Sequence, residues 1–198
     1  MNIEIRKLTP DLAEEYVHFF DVTPHDDKTV KDELPCYCVT WRSDDSYVGD
    51  GDHWYPTREE RRARALQFVR DGKIQGYLAY CGNEIVGWCS SSTDCQAGVD
   101  YLCSFWSIEE YRSDVKVKSV FCFMIAPDVQ RKGVATKLLE YICDDAAAEG
   151  FDFVEAYTDK KLQNVELDYR GPLAMYEKCG FRICSEREGK VVVRKALK

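Results

Sequence analysis

The sequence predicts a single α/β (α+β) domain, residues 1–198, in which a mixed central sheet is flanked by helices. A chain of 198 residues is long enough for one domain with a sizeable core. No repeat and no linker-like composition divides it. Segments with the two-residue period of strands alternate with segments that have the 3.6-residue period of helices, and this order favours a mixed sheet.

The N-terminal segment predicts a strand followed by a helix. Apolar and polar residues alternate over residues 3–8, which is typical of a half-buried strand. The sequence Thr9-Pro10-Asp11 then supplies a capping hydroxyl, a proline in the first turn and an early acid, so we expect a helix from here to about Phe20. Residues 21–56 have no clear period, and we predict a long functional loop with at most a short helix.

The rest of the chain continues the alternation of strands and helices. Thr57 and Glu60 have the spacing of a capping box, in which the hydroxyl and the carboxylate satisfy each other's backbone amides, and they begin a helix that ends near Gly72. After it we expect a hairpin, an irregular aromatic-rich insertion, a strand, a helix, a strand, a helix and a terminal hairpin, at residues 76–89, 90–116, 117–126, 133–149, 151–158, 172–179 and 181–197.

The charge balance argues against a nucleic-acid partner. Acidic residues outnumber basic ones by 35 to 27, which gives a net charge of −8, whereas affinity for a phosphate backbone depends on clustered lysine and arginine. A cationic partner suits this chain better.

No window approaches the ~20 consecutive apolar residues of a membrane helix, so no membrane partner is expected. The first ten residues lack the pattern of a secretory signal, and the expected location is cytoplasmic.

The ten cysteines are predicted to act mostly as small buried hydrophobes in a reducing compartment. Cys122 lies between two phenylalanines and is interpreted as core rather than as a nucleophile. Cys36 and Cys38 form the one pair with a spacing that suggests a metal ligand. No second Cys or Cys/His pair at zinc-finger spacing follows them, so the role of this pair stays open.

The most informative segment is the turn that joins the strand at 117–126 to the helix at 133–149. The strand ends at Pro127, Arg131 and Lys132 make the turn basic, and the helix begins at a glycine. Unpaired amides and the positive end of the helix dipole in such a turn favour a di-anion such as a pyrophosphate. The glycine spacing fits neither a Walker loop nor the dinucleotide pattern. An ordinary basic strand-to-helix turn is the alternative interpretation.

Two motifs resemble the GNAT N-acetyltransferase superfamily. Gln130-x-x-Gly133-x-Ala135, which follows Ile125-x-Pro127, resembles the acyl-CoA-binding motif of that superfamily. The segment Tyr176-Glu177-Lys178-Cys179-Gly180-Phe181 is similar to its closing Tyr-Glu-Lys-x-Gly-Phe segment. One departure is Tyr169, seven residues before Tyr176, where many members carry asparagine. The resemblance implies a mostly antiparallel sheet in which the fourth and fifth strands splay apart to form the acyl-CoA cleft.

The resemblance also implies where acetyl-CoA, the cosubstrate, would bind. Main-chain amides of the fourth strand would hold the pantetheine arm and polarise the thioester carbonyl. Amides of the following turn, with the Gln130 side chain and the Thr136 hydroxyl, would hold the pyrophosphate. No metal is implied. The implied cofactor-binding residues are Phe123, Met124 and Ile125 on the strand, and Gln130, Arg131, Lys132, Gly133, Val134, Ala135 and Thr136 in the turn and the helix.

Tyr176 and Glu155 are the predicted catalytic residues. Tyr176 matches the general acid of the superfamily, which protonates the departing thiolate; packing of an aromatic ring is the alternative. Glu155 is the leading candidate for the base, because strand parity places it on one face with three aromatic residues, where burial makes a carboxylate more basic. These are Phe151, Phe153 and Tyr157. The alternatives are a carboxylate satisfied by the backbone at a strand end, or water, His25 or His53 as the base.

The resulting prediction is an acetyl-CoA-dependent N-acetyltransferase that acetylates a primary amine of a small molecule or peptide by direct attack in a ternary complex. The alternative is a non-catalytic acyl-CoA-binding sensor or regulatory module.

An acidic cluster interleaved with tryptophan and tyrosine would either form a pocket for a cationic amine or be solvated. The identity of the amine, the acyl-chain preference and homodimerisation stay open. The cluster comprises Asp44, Asp45, Asp50 and Asp52.

Overall fold

Seven strands form one sheet and four α-helices flank it in the part of the chain that the computed structural model describes, residues 1–23, 35–39, 57–92, 115–161 and 169–198. The strand order is β1-β2-β3-β4-β5-β7-β6, and every neighbouring pair is antiparallel except β4 and β5. The predicted fold class is therefore confirmed. The strands are β1 Glu4–Lys7, β2 Gly76–Cys81, β3 Glu84–Ser92, β4 Val117–Ile125, β5 Phe153–Asp159, β6 Arg182–Arg187 and β7 Lys190–Ala196; the helices are α1 Ala13–Val22, α2 Arg58–Arg70, α3 Val134–Ala148 and α4 Leu173–Lys178.

Alternate residues of the strands contribute to two separate cores. In β2, Tyr77 and Ala79 belong to the core beneath α3, whereas Leu78 and Tyr80 belong to the core beneath α1 and α2. Successive side chains of a strand point to opposite faces, so the sheet has an α3 face and an α1–α2 face. Tyr176 of α4 belongs to the core of the α3 face. Within the described ranges, no helix combines the length and the apolarity needed to cross a membrane.

The structure confirms one of the two predicted helix N-caps and not the other. Thr57 and Glu60 form the capping box: the Glu60 N–H donates to the Thr57 hydroxyl over 3.1 Å, and the Thr57 N–H donates to the Glu60 carboxylate over 3.1 Å. Thr9, in contrast, does not cap α1. Pro10–Leu12 form a 3₁₀ turn whose last N–H donates to the Thr9 carbonyl, and α1 begins only at Ala13. The backbone of this turn satisfies a donor that a capping hydroxyl would otherwise take.

β4 and β5 pair along only part of β4. The parallel register runs from Val117 opposite Phe153 to Val120 opposite Ala156. Beyond Val120, β4 continues to Ile125 in register with β3 alone. The two central strands therefore part in the middle of the sheet, and the opening between them is termed the β4–β5 gap.

A β-bulge coincides with the point where the strands part. Ser90 of β3 lies opposite Cys122 of β4, but the next residue, Ser91, lies opposite Val120. β4 therefore carries one extra residue, Phe121, relative to β3. A bulge bends its strand and disrupts regular pairing, which explains why β4 leaves β5 immediately after Val120.

Lys118 is buried on the α3 face and pairs with two acids at the C-terminal end of α3, Asp145 in the helix and Glu149 directly after it. Its side chain is 2% exposed, and its Nζ lies 3.2 Å from Asp145 and 2.6 Å from Glu149. It also donates to the Tyr77 hydroxyl over 2.8 Å. Partial desolvation alone would raise the pKa of both carboxyls, but hydrogen bonds from Lys118 to each, and from Tyr77 to Asp145, lower those pKa values. This cluster fixes the C-terminal half of α3 to the sheet.

The described cysteines are free, and most are buried as predicted. Cys184 on β6 is the exposed exception. Cys95 and Cys103 lie outside the described residues. The interpretation of cysteine as a small core residue therefore holds for the strands and helices of the two cores, and not for the edge strand β6.

Candidate active site

The edge of β4 that borders the β4–β5 gap presents main-chain groups of two residues. The Ala126 N–H donates to the Val86 carbonyl on β3 over 3.0 Å. Main-chain groups of consecutive strand residues point to opposite sides, so those of Phe123 and Ile125 point away from β3 and into the gap. The amide of Met124 has the same orientation as that of Ala126 and faces β3. Of the three predicted pantetheine-binding amides, the pairing of β4 with β3 therefore leaves those of Phe123 and Ile125 facing the gap.

The turn after β4 leaves several amides available at the beginning of α3. Arg131 has φ 58° and Gly133 has φ 85°, so both adopt the left-handed conformation, which is uncommon for an arginine. Gly133 is the N-cap and offers no side chain to cap the helix. The first intrahelical bond of α3 runs from the Lys137 N–H to the Gly133 carbonyl. The N–H groups of residues 134–136 therefore have no acceptor within the helix and are available to an anion.

Two contacts fix this turn to the sheet. The Gln130 side-chain amide donates to the Ile125 carbonyl over 3.1 Å, which connects the turn to the end of β4. Gly87 of β3 allows α3 to lie close, because a Cβ there would be 3.0 Å from the Ile125 side chain and 3.1 Å from the Val134 side chain. Gln130 and the next three residues are exposed. The predicted pyrophosphate-binding residues thus lie together in a turn that packs against the sheet on one side and is exposed to solvent on the other.

Tyr176 approaches the β4–β5 gap from the α3 face. Its ring packs against Phe123 of β4, with centroids 6.5 Å apart, and against Phe181, with centroids 5.4 Å apart. The residue is 1% exposed. Its hydroxyl donates to the Arg170 carbonyl over 2.6 Å. The predicted general acid therefore lies beside the β4 edge of the gap, and a main-chain carbonyl accepts its proton in a hydrogen bond.

Glu155 lies on the α1–α2 face, opposite to Tyr176, and it is fully buried. One carboxylate oxygen accepts a hydrogen bond from the Tyr157 hydroxyl over 2.6 Å, and the other accepts one from the Arg194 Nε. The Tyr157 hydroxyl in turn lies 3.3 Å from the Ser119 hydroxyl. Because Tyr157 donates to Glu155, Ser119 is the donor of that second bond. The result is a continuous polar chain beneath the point where β4 and β5 part.

The predicted surroundings of Glu155 require correction. Phe151 is not on its face, because β5 begins only at Phe153, and Phe151 packs against the core of the α3 face. The alternative prediction placed the carboxylate at a strand end, satisfied by the backbone, but Glu155 lies within β5 rather than at its end. The partners of Glu155 include the side chains of Tyr157 and Arg194. Burial of the carboxylate is thus compensated by two side-chain donors.

The bulge residue Phe121 lies between this polar chain and a small cavity. Its ring stacks on that of Tyr157, with centroids 6.0 Å apart and an interplanar angle of 8°. Phe121, Cys38 and the serines at 90–92 line the cavity. Cys38 lies 3.3 Å from Cys122, sulfur to sulfur. Cys122 is therefore a core residue of the α1–α2 face, as the sequence predicted.

Several predicted site residues lie outside the described part of the chain. These are His25, His53 and the acidic cluster of Asp44, Asp45, Asp50 and Asp52, and their roles stay predictions. Within the described residues, no group of three metal-ligating side chains is brought together.

Sequence reasoning missed Arg194. It pairs with Glu155 across 39 residues of sequence, and the register of β5 with β7 places the two directly opposite each other. The only sequence signal is a single arginine in an apolar strand of the terminal hairpin.

The sheet is mixed, its one parallel pair of strands parts, and the turn after β4 presents main-chain amides at the start of α3. Acyltransferases that use coenzyme A share this architecture. The chain belongs to the GNAT acetyltransferase family: the sequence profile described as "Acetyltransferase (GNAT) family" matches residues 36–181, which is most of its length. A search of curated protein sequences gave no match.

Solved structures similar to this chain include acetyltransferases of the same fold. One is an acetyltransferase of the GNAT family from Streptococcus pneumoniae, with a TM-score of 0.53, 18% identity and coverage of 100% of both chains. Another is the PaiA N-acetyltransferase from Thermoplasma acidophilum in complex with coenzyme A, with a TM-score of 0.56, 14% identity and coverage of 99% of both chains. A third is the ribosomal-protein-S18-alanine N-acetyltransferase from Escherichia coli, with a TM-score of 0.52, 12% identity and coverage of 100% of this chain and 95% of that one. At such identities the likeness establishes the fold.

Proposed function

We propose that this protein is an acetyl-CoA-dependent N-acetyltransferase that transfers an acetyl group to a primary amine of a small molecule or peptide, by direct attack in a ternary complex. Family membership supports acetyl transfer in general. The observation that carries the proposal is that three features lie around the point where β4 and β5 part: the β4–β5 gap, the amide-bearing turn at 130–136, and Tyr176.

In this proposal the turn binds the pyrophosphate and the gap binds the acyl arm. The N–H groups of residues 134–136 and the dipole of α3 attract an anion, and Arg131 and Lys132 add positive charge beside them. The amides of Phe123 and Ile125 lie where they can bind the pantetheine arm and polarise the thioester carbonyl. A main-chain donor of this kind stabilises the developing oxyanion by about 3 kcal/mol.

Tyr176 donates a proton to the leaving thiolate. The reference pKa values are about 10 for a phenol and about 8.5 for a thiol, so full proton transfer costs roughly 2 kcal/mol, which a catalysed barrier accommodates. A hydrogen bond to the sulfur lowers the barrier even before the proton moves. To reach the sulfur, the Tyr176 hydroxyl must leave the Arg170 carbonyl, which it contacts at 2.6 Å.

Glu155 stays a prediction as the base, and its contacts favour a different role. An alkylamine with a pKa of about 10.4 needs roughly 4.6 kcal/mol to become neutral at pH 7, so a base or a water chain is required. Each oxygen of Glu155 already accepts a hydrogen bond, one from Tyr157 and one from Arg194. Glu155 therefore serves to hold these two side chains, and water takes the amine's proton.

The direct test supplies acetyl-CoA with a panel of amines, including diamines and peptides with free N-termini, and measures release of free thiol. We expect turnover with at least one amine. In Tyr176→Phe we expect turnover to fall about 100-fold, because the acid is lost, while the affinity for CoA changes by less than about twofold. Calorimetric titration with CoA measures that affinity.

A matched control separates catalysis from loss of a buried hydrogen bond. Tyr16→Phe removes another buried hydroxyl that donates to a backbone carbonyl, that of Tyr37, over 2.8 Å, and we expect it to retain turnover. Tight CoA binding without turnover on any amine would instead support the acyl-CoA sensor. Unchanged turnover in Tyr176→Phe would remove this residue from the mechanism.

A further inference from the structure

Two hydrogen bonds hold the short segment that precedes α4. This segment, residues 169–172, is termed the strap. The Thr158 hydroxyl at the end of β5 donates to the Gly171 carbonyl over 2.5 Å. The Tyr176 hydroxyl on α4 donates to the neighbouring Arg170 carbonyl over 2.6 Å. Two consecutive carbonyls of the strap are thus bound by two different elements, one by the sheet and one by the predicted acid.

The strap packs directly on the β4 edge of the gap. Gly171 has φ +77°, and a Cβ there would lie 2.7 Å from the Met175 side chain and 3.5 Å from the Phe123 ring. The left-handed backbone conformation favours glycine at this position, and the Phe123 ring lies at van der Waals distance from the place a Cβ would occupy. Since Phe123 also contacts the Tyr176 ring, the strap, the β4 edge and the acid form one packed unit.

Thr158 occupies the position from which this unit can be anchored. It is 1% exposed, and it lies two residues beyond Ala156, the last residue of β5 that pairs with β4. Its side chain therefore borders the β4–β5 gap from the β5 side, while Phe123 borders it from the β4 side. The bond to Gly171 is the contact through which β5 sets the position of the strap.

We propose that Thr158 is a positioning residue for the acid. Its hydroxyl fixes the strap, and the Arg170 carbonyl then holds the Tyr176 hydroxyl, its hydrogen-bond donor, at the gap. In the reaction, the Tyr176 hydroxyl turns from this carbonyl to the thiolate of CoA: its O–H bond breaks, an S–H bond forms, and the phenolate regains a proton released by the amine. This inference rests on the proposed function.

The anchoring is tested without any turnover. Thr158→Val removes the donor and keeps the shape, whereas Thr158→Ser keeps the donor. The Met175 N–H donates to the Pro172 carbonyl of the strap over 2.9 Å, so its hydrogen exchange reports on the strap. We expect exchange at Met175 to be about tenfold faster in Thr158→Val and near the wild-type rate in Thr158→Ser. Equal exchange rates in all three proteins would overturn the inference, whatever their activity.

The catalytic consequence is tested by a double-mutant cycle with an amine that the panel shows to be acetylated. We expect Thr158→Val to lower kcat about tenfold, with the Kd for CoA within about twofold of wild type, and Thr158→Ser to restore kcat. In the Tyr176→Phe background, Thr158→Val should cause no further loss, because its effect passes through the Tyr176 hydroxyl. Additive losses would overturn the positioning role.

A control variant accounts for general destabilisation. Gly150→Ala, at the far end of α3, is expected to lower stability and leave kcat per folded molecule unchanged. If the exchange result holds but no amine is acetylated by the wild type, the proposed function fails while the anchoring of the strap stands. If acetylation occurs and exchange does not change, only the inference about Thr158 fails.

Discussion

The two ends of α3 offer a matched pair of glycines for testing the phosphate turn. Gly133 begins the helix with φ +85°, and Gly150 follows its end with φ +78°. A Cβ at either position would meet no atom within 4 Å. The two lie about 25 Å apart along the helix axis. Gly133→Ala and Gly150→Ala therefore impose the same backbone strain without a steric clash, and only the first lies at the proposed site.

The expected size of the effect follows from that strain. A left-handed conformation costs an L-residue about 1–2 kcal/mol relative to glycine. At Gly150 the full cost is expected in the free energy of unfolding. Gly133 is exposed and its turn can relax in the unbound variant. Most of the strain energy there should therefore appear as weaker CoA binding, because binding requires the turn to return to the left-handed conformation. Since 1.4 kcal/mol corresponds to tenfold in Kd, the affinity of Gly133→Ala for CoA should fall about 5- to 30-fold.

Calorimetric titration with CoA and chemical denaturation of both variants provide the assay. We expect weaker CoA binding with a small loss of stability in Gly133→Ala, and unchanged binding with a loss of about 1–2 kcal/mol in Gly150→Ala. Equal losses of stability in the two variants, with both binding CoA like the wild type, would contradict this expectation. In that case the left-handed turn at Gly133 would not be what CoA recognises.

Two further predictions concern the buried ion pairs. Glu155→Gln is expected to lower the free energy of unfolding by about 2 kcal/mol, which is less than for a fully buried pair because the Arg194 side chain is 30% exposed. We expect turnover per folded molecule to stay within about threefold of wild type. A hundredfold loss of turnover at unchanged stability would make Glu155 the base. Lys118→Met is expected to cost roughly 2 kcal/mol at pH 7. Because the folded pKa values of Asp145 and Glu149 are lowered, the stability that they contribute is present above the ordinary carboxyl pKa of about 4 and is lost as the pH falls through the lowered values. Denaturation series over pH should therefore show the difference between wild type and Lys118→Met shrinking below about pH 4, and a constant difference would contradict the assignment.

Local sequence patterns identified most elements and the turn of the candidate site. The capping box of Thr57 and Glu60 is a contact between residues three apart, so its chemistry is visible in the sequence and the structure confirms it. The same holds for the glycine that begins α3. Thr9 shows the limit of such patterns, because a 3₁₀ turn and a capped α-helix use the same residue types.

Contacts between distant segments could not be read from the sequence. The bulge at Phe121 depends on the register of β4 with β3, and no residue of β4 signals it. The partner of Glu155 comes from β7 and the anchor of the strap comes from β5, so both follow from the order of strands in the sheet. Periodicity predicted that Glu155 would be buried, and only the sheet topology shows that its charge is paired.

The most direct measurement is an isotope-edited NMR titration of the protein with CoA, read at assigned backbone amides. We expect the largest shifts on residues 131–136 and on Phe123 and Ile125, with little change at Met124, whose amide faces β3. Shifts concentrated on other strands, or none at all at millimolar ligand, would contradict the proposed CoA site.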